Sequence, residues 1–392
     1  VRLSKEVAEM AEKVAVVGAG FTSLRALSPD VSFREMIFEA ATRAYEDAGI
    51  APRDIDSVVA LGEDFREGTC ISDEYVPDQL GAVQKPIQTV TGDGLQGLGV
   101  AVMLLQTGAF EVVVLEGHSK ASNIRHPAHV EAMALDPGFV RPHKWHPNFV
   151  AGLEMRRFLE DSGNTAAQAA RVAVKNRRNA LCNPIAAYPA NLSVEQVLAS
   201  RPLAEPLRDL ETAAPADGAF VFVIARESAL KRLRGQPVFV DGIAWSSDTS
   251  NLFNRSWGEA TYARQAAERA YASAGVGNPR EDFNFAEVDD SFAYKELQHL
   301  EALGLAPKGQ SGRLLEQGMF ERGGKLPVNV SGGSLGCGHL HDASALRSLL
   351  EVVLQLRGHA GERQVAGARR GLVSSWRSIP TATGAVAVLS RR

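Results

Sequence analysis

The chain writes one strand–helix grammar twice, and that repetition narrows the folds open to it. In the first half an apolar run at 14–17 ends in Gly18-Ala19-Gly20 and reads as a buried strand meeting a turn. Ser32 is placed to cap a helix running to about Ala48, with apolar positions Met36, Phe38, Ala41 and Tyr45. Strands follow at 55–61 and 110–116, with a helix over 91–105 between them. The second half gives strands at 237–240 and 283–288, helices at 262–274 and 292–303, and closing strands at 372–375 and 385–389. A helix over 338–356 follows a glycine turn there, as 91–105 does in the first half. Alternation of this kind predicts an α/β fold with a mixed sheet covered on both faces. The expected units are 1–225 and 226–392, related as a diverged duplication. An irregular Pro-, His- and Arg-rich stretch at about 118–215 lies in the first. A long region of that kind is a lid, a binding loop or an oligomer contact.

At 392 residues the length suits two such halves. A net charge of −4 gives no reason to expect a nucleic-acid or membrane-surface partner. No apolar run reaches the roughly 18 residues of a membrane span, and residues 1–6 lack a signal-peptide pattern. The three cysteines, Cys70, Cys182 and Cys337, are too few and too odd for a disulfide framework. A cytoplasmic protein is expected.

The densest chemical signal is Ser331-Gly332-Gly333-Ser334-Leu335-Gly336-Cys337-Gly338-His339. It sets a histidine after a glycine-rich turn, directly before the apolar stretch 346–356. At the start of a helix, free N–H groups favour an anion or a developing oxyanion. Gly18-Ala19-Gly20 is not a dinucleotide fingerprint, because the full GxGxxG is absent. His341 and Asp342 follow His339, but no further ligand set has recognisable spacing, so no metal is expected.

The run at 331–339 resembles the GGxxxxGHPxGATG segment of the thiolase superfamily, in its sterol-carrier-protein-type branch. Lys175-Asn176-Arg177-Arg178-Asn179-Ala180-Leu181-Cys182-Asn183-Pro184 is similar to that family's KNHRNAxxNP. Residues 356–365 resemble its QLRGEAGxRQV, and Glu287-Val288-Asp289-Asp290-Ser291-Phe292 its EVHDxF. The resemblance implies a five-layered αβαβα fold, a dimer and an acyl-CoA thioester substrate. Coenzyme A would enter as part of that substrate, with no cofactor bound covalently.

Three departures change the implied chemistry. Thiolases carry a nucleophilic cysteine at the start of the first-half buried helix, where a thiolate accepts an acyl group. The match places Gly94 there, in Thr91-Gly92-Asp93-Gly94, and glycine cannot be acylated. Asp93 beside it reads as a helix cap before a nucleophile. Asp289 stands where the family has histidine, and whether Asp289 or Asp290 faces the pocket stays open. Trp376 and Arg377 stand in the C-terminal loop, where Arg377 either pairs with a substrate carboxylate or forms a structural salt bridge.

The resemblance therefore implies a scaffold retained and a reaction altered. Asp289 and His339 are the acid/base and oxyanion candidates. Gly94, Gly338, Arg377 and Asp93 are the oxyanion or substrate contacts, and Cys337 is the weaker candidate for a displaced nucleophile. His126, His129, His143 and His146 would meet CoA phosphates, a partner or solvent. The reaction implied first is retro-aldol cleavage of a β-hydroxyacyl-CoA, as in steroid side-chain aldolases that work with a small zinc-ribbon/OB-fold subunit. Those aldolases generally have tyrosines where this chain has Asp289 and His339. Thiolytic cleavage of a bulky, for instance aromatic, 3-oxoacyl-CoA is the alternative. A non-catalytic subunit of a heteromeric complex is the third.

Overall fold

The computed structural model describes residues 12–63, 72–249, 251–379 and 381–392. The first residues, Cys70 and Pro380 lie outside these. Nine strands form the main sheet: β1 Val14–Phe21, β2 Ser57–Leu61, β3 Ile87–Val90, β4 Val112–Lys120, β5 Asp217–Arg226, β6 Val238–Ser247, β7 Phe285–Glu287, β8 Arg370–Trp376 and β9 Thr383–Ser390. Their order is β3-β2-β4-β5-β1-β6-β9-β8-β7. From β1 outward the pairings are antiparallel, antiparallel, parallel, parallel. From β6 outward the sequence repeats with β9, β8 and β7, and a parallel bridge from Ala286 to Val328 stands in the fifth place. The two half-sheets pair through Ala15–Phe239 and Val16–Val238 of β1 and β6.

The helices that cover this sheet are α1 Phe33–Ala48, α2 Gly94–Gln106, α3 Pro147–Ser162, α4 Ala166–Asn179, α5 Thr261–Ala274, α6 Ala293–Ala302, α7 Gly333–Cys337 and α8 Ser344–Arg357. Three apolar cores order the layers. α1 packs on one face of the first half-sheet through Ile37, Ala40 and Ala44, against residues such as Val221 of β5. α2 and α8 share a central core with strand residues of both halves, including Leu98, Leu349, Phe222 and Ala387. α5 and α6 cover the outer face of the second half-sheet with α3 and α4. Helix, sheet, paired helices, sheet, helix is the five-layered αβαβα arrangement. No helix among the described residues is long and apolar enough to cross a membrane.

Several sequence expectations are corrected here. Gly18-Ala19-Gly20 is not a turn, since β1 runs on to Phe21. The glycines serve a close approach: a Cβ at Gly18 or Gly20 would collide with the α1 backbone at Ala44 or Ala40. Ser32 caps α1 with a full capping box to Glu35, but Phe38 is exposed and Ile37 is the buried neighbour. The largest correction concerns residues 338–356. No continuous helix follows His339. Gly338, at φ 109°, ends the short α7, a 3-10 turn spans His341–Ala343, and only then does α8 begin. The N-terminus of α8 is therefore five residues away from the histidine expected to face it.

Candidate functional site

Asp93 ends the loop after β3 and caps α2. Its Oδ1 accepts from Leu95 N at 2.8 Å and Gln96 N at 3.3 Å, and Gln96 Oε1 accepts from Asp93 N in return. Burial pushes the Asp93 carboxyl up, opposed by the nearby Ser375 hydroxyl and by hydrogen bonds from these N–H groups. The next residue is Gly94, against α8. A Cβ built there would lie 2.7 Å from Leu346 Cγ and 2.8 Å from its backbone N. Leu346 occupies the room that a side chain at position 94 needs.

Asp289 and Asp290 follow the end of β7 and part ways. Asp290 is fully buried and accepts from Ser334 N at 2.5 Å, Leu335 N at 3.2 Å and Asn176 Nδ2 at 2.7 Å. It caps α7 and sits in the space a side chain on Gly333 would take. The N–H groups of the glycine run are thereby occupied by the chain itself. The Asp289 carboxylate accepts from its neighbour Ser291, from N at 3.1 Å and from the hydroxyl at 3.2 Å. Burial, with Asp290 beside it, pushes its carboxyl up to about 7, while the Ser291 N–H and hydroxyl and, after them, Lys295 pull the other way. Val373 pairs with Glu287 across β8 and β7.

His339 is half-buried and reaches this end of the sheet through the 212–216 segment. Ala213 N donates to Ser291 O at 2.9 Å, His339 N to Ala214 O at 2.8 Å and Ala216 N to His339 O at 2.9 Å. The segment thus runs between the Asp289 loop and the His339 loop. Gly338 permits this strap, because a Cβ there would strike Ala216 and its φ is positive. Its own N–H donates to Ser334 O at 2.8 Å, which commits that expected oxyanion donor to α7. His339 Nδ1 faces His341 N at 3.4 Å and the two rings meet edge to face at 5.3 Å. His341 takes a left-handed φ of 50°.

The remaining candidates are engaged by other groups of the chain. Arg377 ion-pairs with the buried Glu63, so of its two readings the structure displays the salt bridge. Cys337 is fully buried, and its Sγ donates to Ser331 O at 3.2 Å. Burial pushes that thiol up to about 12, which leaves essentially no thiolate at neutral pH. In the native protein Cys337 should therefore stay unmodified by iodoacetamide, read by mass spectrometry, while the half-buried Cys182 reacts. Carbamidomethylation of Cys337 before unfolding would contradict this placement.

Two buried clusters carry no signal that composition or spacing could have read. Lys175 and Asn176 of α4 meet Glu296 of α6, with Lys175 Nζ 3.1 Å from Glu296 Oε1 and Asn176 Nδ2 2.7 Å from Oε2. Asn329, Asn179 and Asn183 extend the network to the 329–331 backbone. The Lys-Asn motif is therefore the brace of the glycine run. The second cluster joins Glu154 of α3, Arg255, Tyr262 of α5, and Lys295 and His299 of α6. An open cleft lined by Leu153, Arg157, Asp161, Arg255, Ser256 and Trp257 lies at its outer side. Among the described residues no group of three His, Cys, Asp or Glu side chains is placed to hold a metal ion.

Against known proteins, residues 244–391 match the model of a thiolase C-terminal domain-like family. The chain is 33% identical over 372 residues to an acetyl-CoA acetyltransferase of Methanothermobacter thermautotrophicus, covering 92% of this chain and 94% of that one. It is 30% identical over 387 residues to sterol carrier protein 2 of Bos taurus, covering 92% and 69%. Among solved structures, one described as an Ltp2-ChsH2(DUF35) aldolase superposes with a TM-score of 0.83 at 25% identity, covering 97% of this chain and 98% of that one.

Proposed function

Because the chain belongs to the thiolase superfamily, in its sterol-carrier-protein-type branch, we propose that it is a carbon–carbon lyase that cleaves a β-hydroxyacyl-CoA by retro-aldol chemistry. The observation that carries this reading is the packing of Leu346 on Gly94. It leaves neither a nucleophile at position 94 nor room for one. Acyl transfer through an enzyme thioester is thereby lost, whereas stabilisation of a thioester enolate needs no nucleophile.

In the proposed reaction Asp289 takes the proton of the β-hydroxyl. Its electron pair forms the new carbonyl as the Cα–Cβ bond breaks, and an aldehyde or ketone leaves. The bonding pair passes to the thioester as an enolate, which His339 stabilises at oxygen; the protonated Asp289 then gives its proton to the α-carbon and is ionised again. A base whose carboxyl lies at about 7 matches this task, since proton transfer is most effective when the catalytic group titrates near the working pH. Coenzyme A enters with the substrate, and no further cofactor is required. Similarity to a structure described as an Ltp2-ChsH2(DUF35) aldolase supports a second subunit as partner, and the family resemblance implies a small zinc-ribbon/OB-fold subunit on a homodimeric core.

Similarity to an acetyl-CoA acetyltransferase favours a second reading, thiolytic cleavage of a 3-oxoacyl-CoA by free CoA thiolate. One experiment separates them. The protein, alone and with a co-purified partner, is given a β-hydroxyacyl-CoA and separately a 3-oxoacyl-CoA, with and without free CoA. Carbonyl release from the hydroxy ester without added CoA is the expected result. A new acyl-CoA formed only from the oxo ester and only with free CoA would replace the lyase reading with thiolysis. Inactivity of the folded protein in every arm would leave a binding subunit in its place.

A further inference from the structure

We propose that Lys295 is the positioning residue that holds Asp289 in its ionised, proton-accepting form, an inference that rests on Asp289 being the base of the reaction above. Lys295 lies in the first turn of α6, and His299 lies one turn on, on the same face. That face is turned toward Asp289, because His299 Nδ1 meets the Asp289 carbonyl oxygen at 3.3 Å. Tyr262 OH ties the two together, 2.9 Å from His299 Nε2 and 3.3 Å from Lys295 Nζ.

The Lys295 ammonium is fixed in place. It ion-pairs with Glu154, donates to Gln298 Oε1 at 2.8 Å and stands 4.0 Å over the Trp376 ring. Its side chain is 1% exposed. Glu154 does not neutralise it alone, because Glu154 Oε2 is also shared with Arg255 at 3.1 Å. Lys295 and Arg255 both bear on the Glu154 carboxylate, and the charge of Lys295 is also coupled to Asp289. In a buried site of low effective dielectric such a coupling acts with little screening.

The other groups facing Asp289 do not replace it. Asp290 beside it carries the opposite sign of effect. His299 is pushed down to about 3 by burial and by Lys295, so it is neutral. Tyr262 and Tyr294 are held well above their usual range and are also neutral. Arg347 approaches from α8, but its guanidinium is engaged by the Ser331, Ser334 and Ser348 hydroxyls and lies 3.7 Å from Glu287. Lys295 is the cation on the α6 side.

The test is Lys295→Met. Glu154 keeps Arg255 in this variant, so no anion is left alone. The acid limb of the kcat/KM profile should move up by about one pH unit, in line with the loss of a nearby opposite charge. Lys295→Arg should return it. The Asp289 carboxyl is followed in parallel by ¹³C NMR of aspartate-labelled protein, a readout independent of turnover. Should Lys295→Met not fold, Lys295→Gln keeps a donor for Glu154 and serves in its place. A folded variant in which neither the limb nor the Asp289 titration moves overturns the proposal. If the titration moves and the limb does not, the Lys295–Asp289 coupling stands and the assignment of Asp289 as base falls.

Discussion

Asp289→Asn is expected to lower kcat/KM for carbon–carbon cleavage by about 10²–10⁴-fold, the usual contribution of a single general base. The substitution keeps shape and one acceptor, so the Ser291 N–H that Asp289 holds at 3.1 Å retains its partner. It removes only the capacity to take a proton. Stability should change little, because the carboxyl is already expensive to ionise where it sits, with burial raising it to about 7. The sign of the pH dependence follows. The proton-accepting form grows as pH rises through about 7, so wild-type kcat/KM should climb across that range, and the Asn variant should lack that limb. Steady-state kinetics from pH 5 to pH 9 on both proteins give the measurement. Turnover by the variant within a fewfold of wild type would remove Asp289 from the chemistry.

Lys175→Met is expected to act on the fold, by about 3–5 kcal/mol, as when one partner of a buried ion pair is removed. The side chains of Lys175 and Glu296 are both fully buried, and Lys175 Nζ also donates to Val328 O at 2.8 Å. Methionine fills much of the volume but leaves Glu296 with only the Asn176 and Asn329 amides. The loss should shrink as pH falls, because burial already favours the protonated Glu296 carboxyl and protonation removes the orphaned charge. Urea unfolding at two pH values measures both the size and the trend. A loss under about 1 kcal/mol at neutral pH would show that Glu296 carries no charge there and that the brace is a hydrogen-bond network.

The two predictions fall on opposite kinds of residue, and the sequence discriminated between them poorly. Lys175 and Asn176 were legible as a motif, yet their purpose was not, because the string says nothing of Glu296, over a hundred residues away. Asp289 and Asp290 were legible as a pair, but strand alternation could not choose between them. The choice came from α7, whose N–H groups Asp290 caps. Lys295 carried no sequence signal, since a lysine in the first turn of a helix is ordinarily a solvated residue.

Strand and helix order, the doubled grammar, the Ser32 and Asp93 caps and the missing cysteine at position 94 were all determined by the sequence alone. The elements and caps depend on neighbours within a few residues, the range over which periodicity and capping act, whereas the missing cysteine is what the family resemblance implies. Only the tertiary structure decided that Leu346 closes over Gly94, that β1 runs through its glycines against α1, and that His339 lies on a strap instead of at the head of a long helix. The charge state of Asp289 belongs to that second group. Burial and Asp290 raise it, the Ser291 hydrogen bonds and Lys295 of α6 lower it, and contacts between residues distant in the chain exist only once the layers have packed.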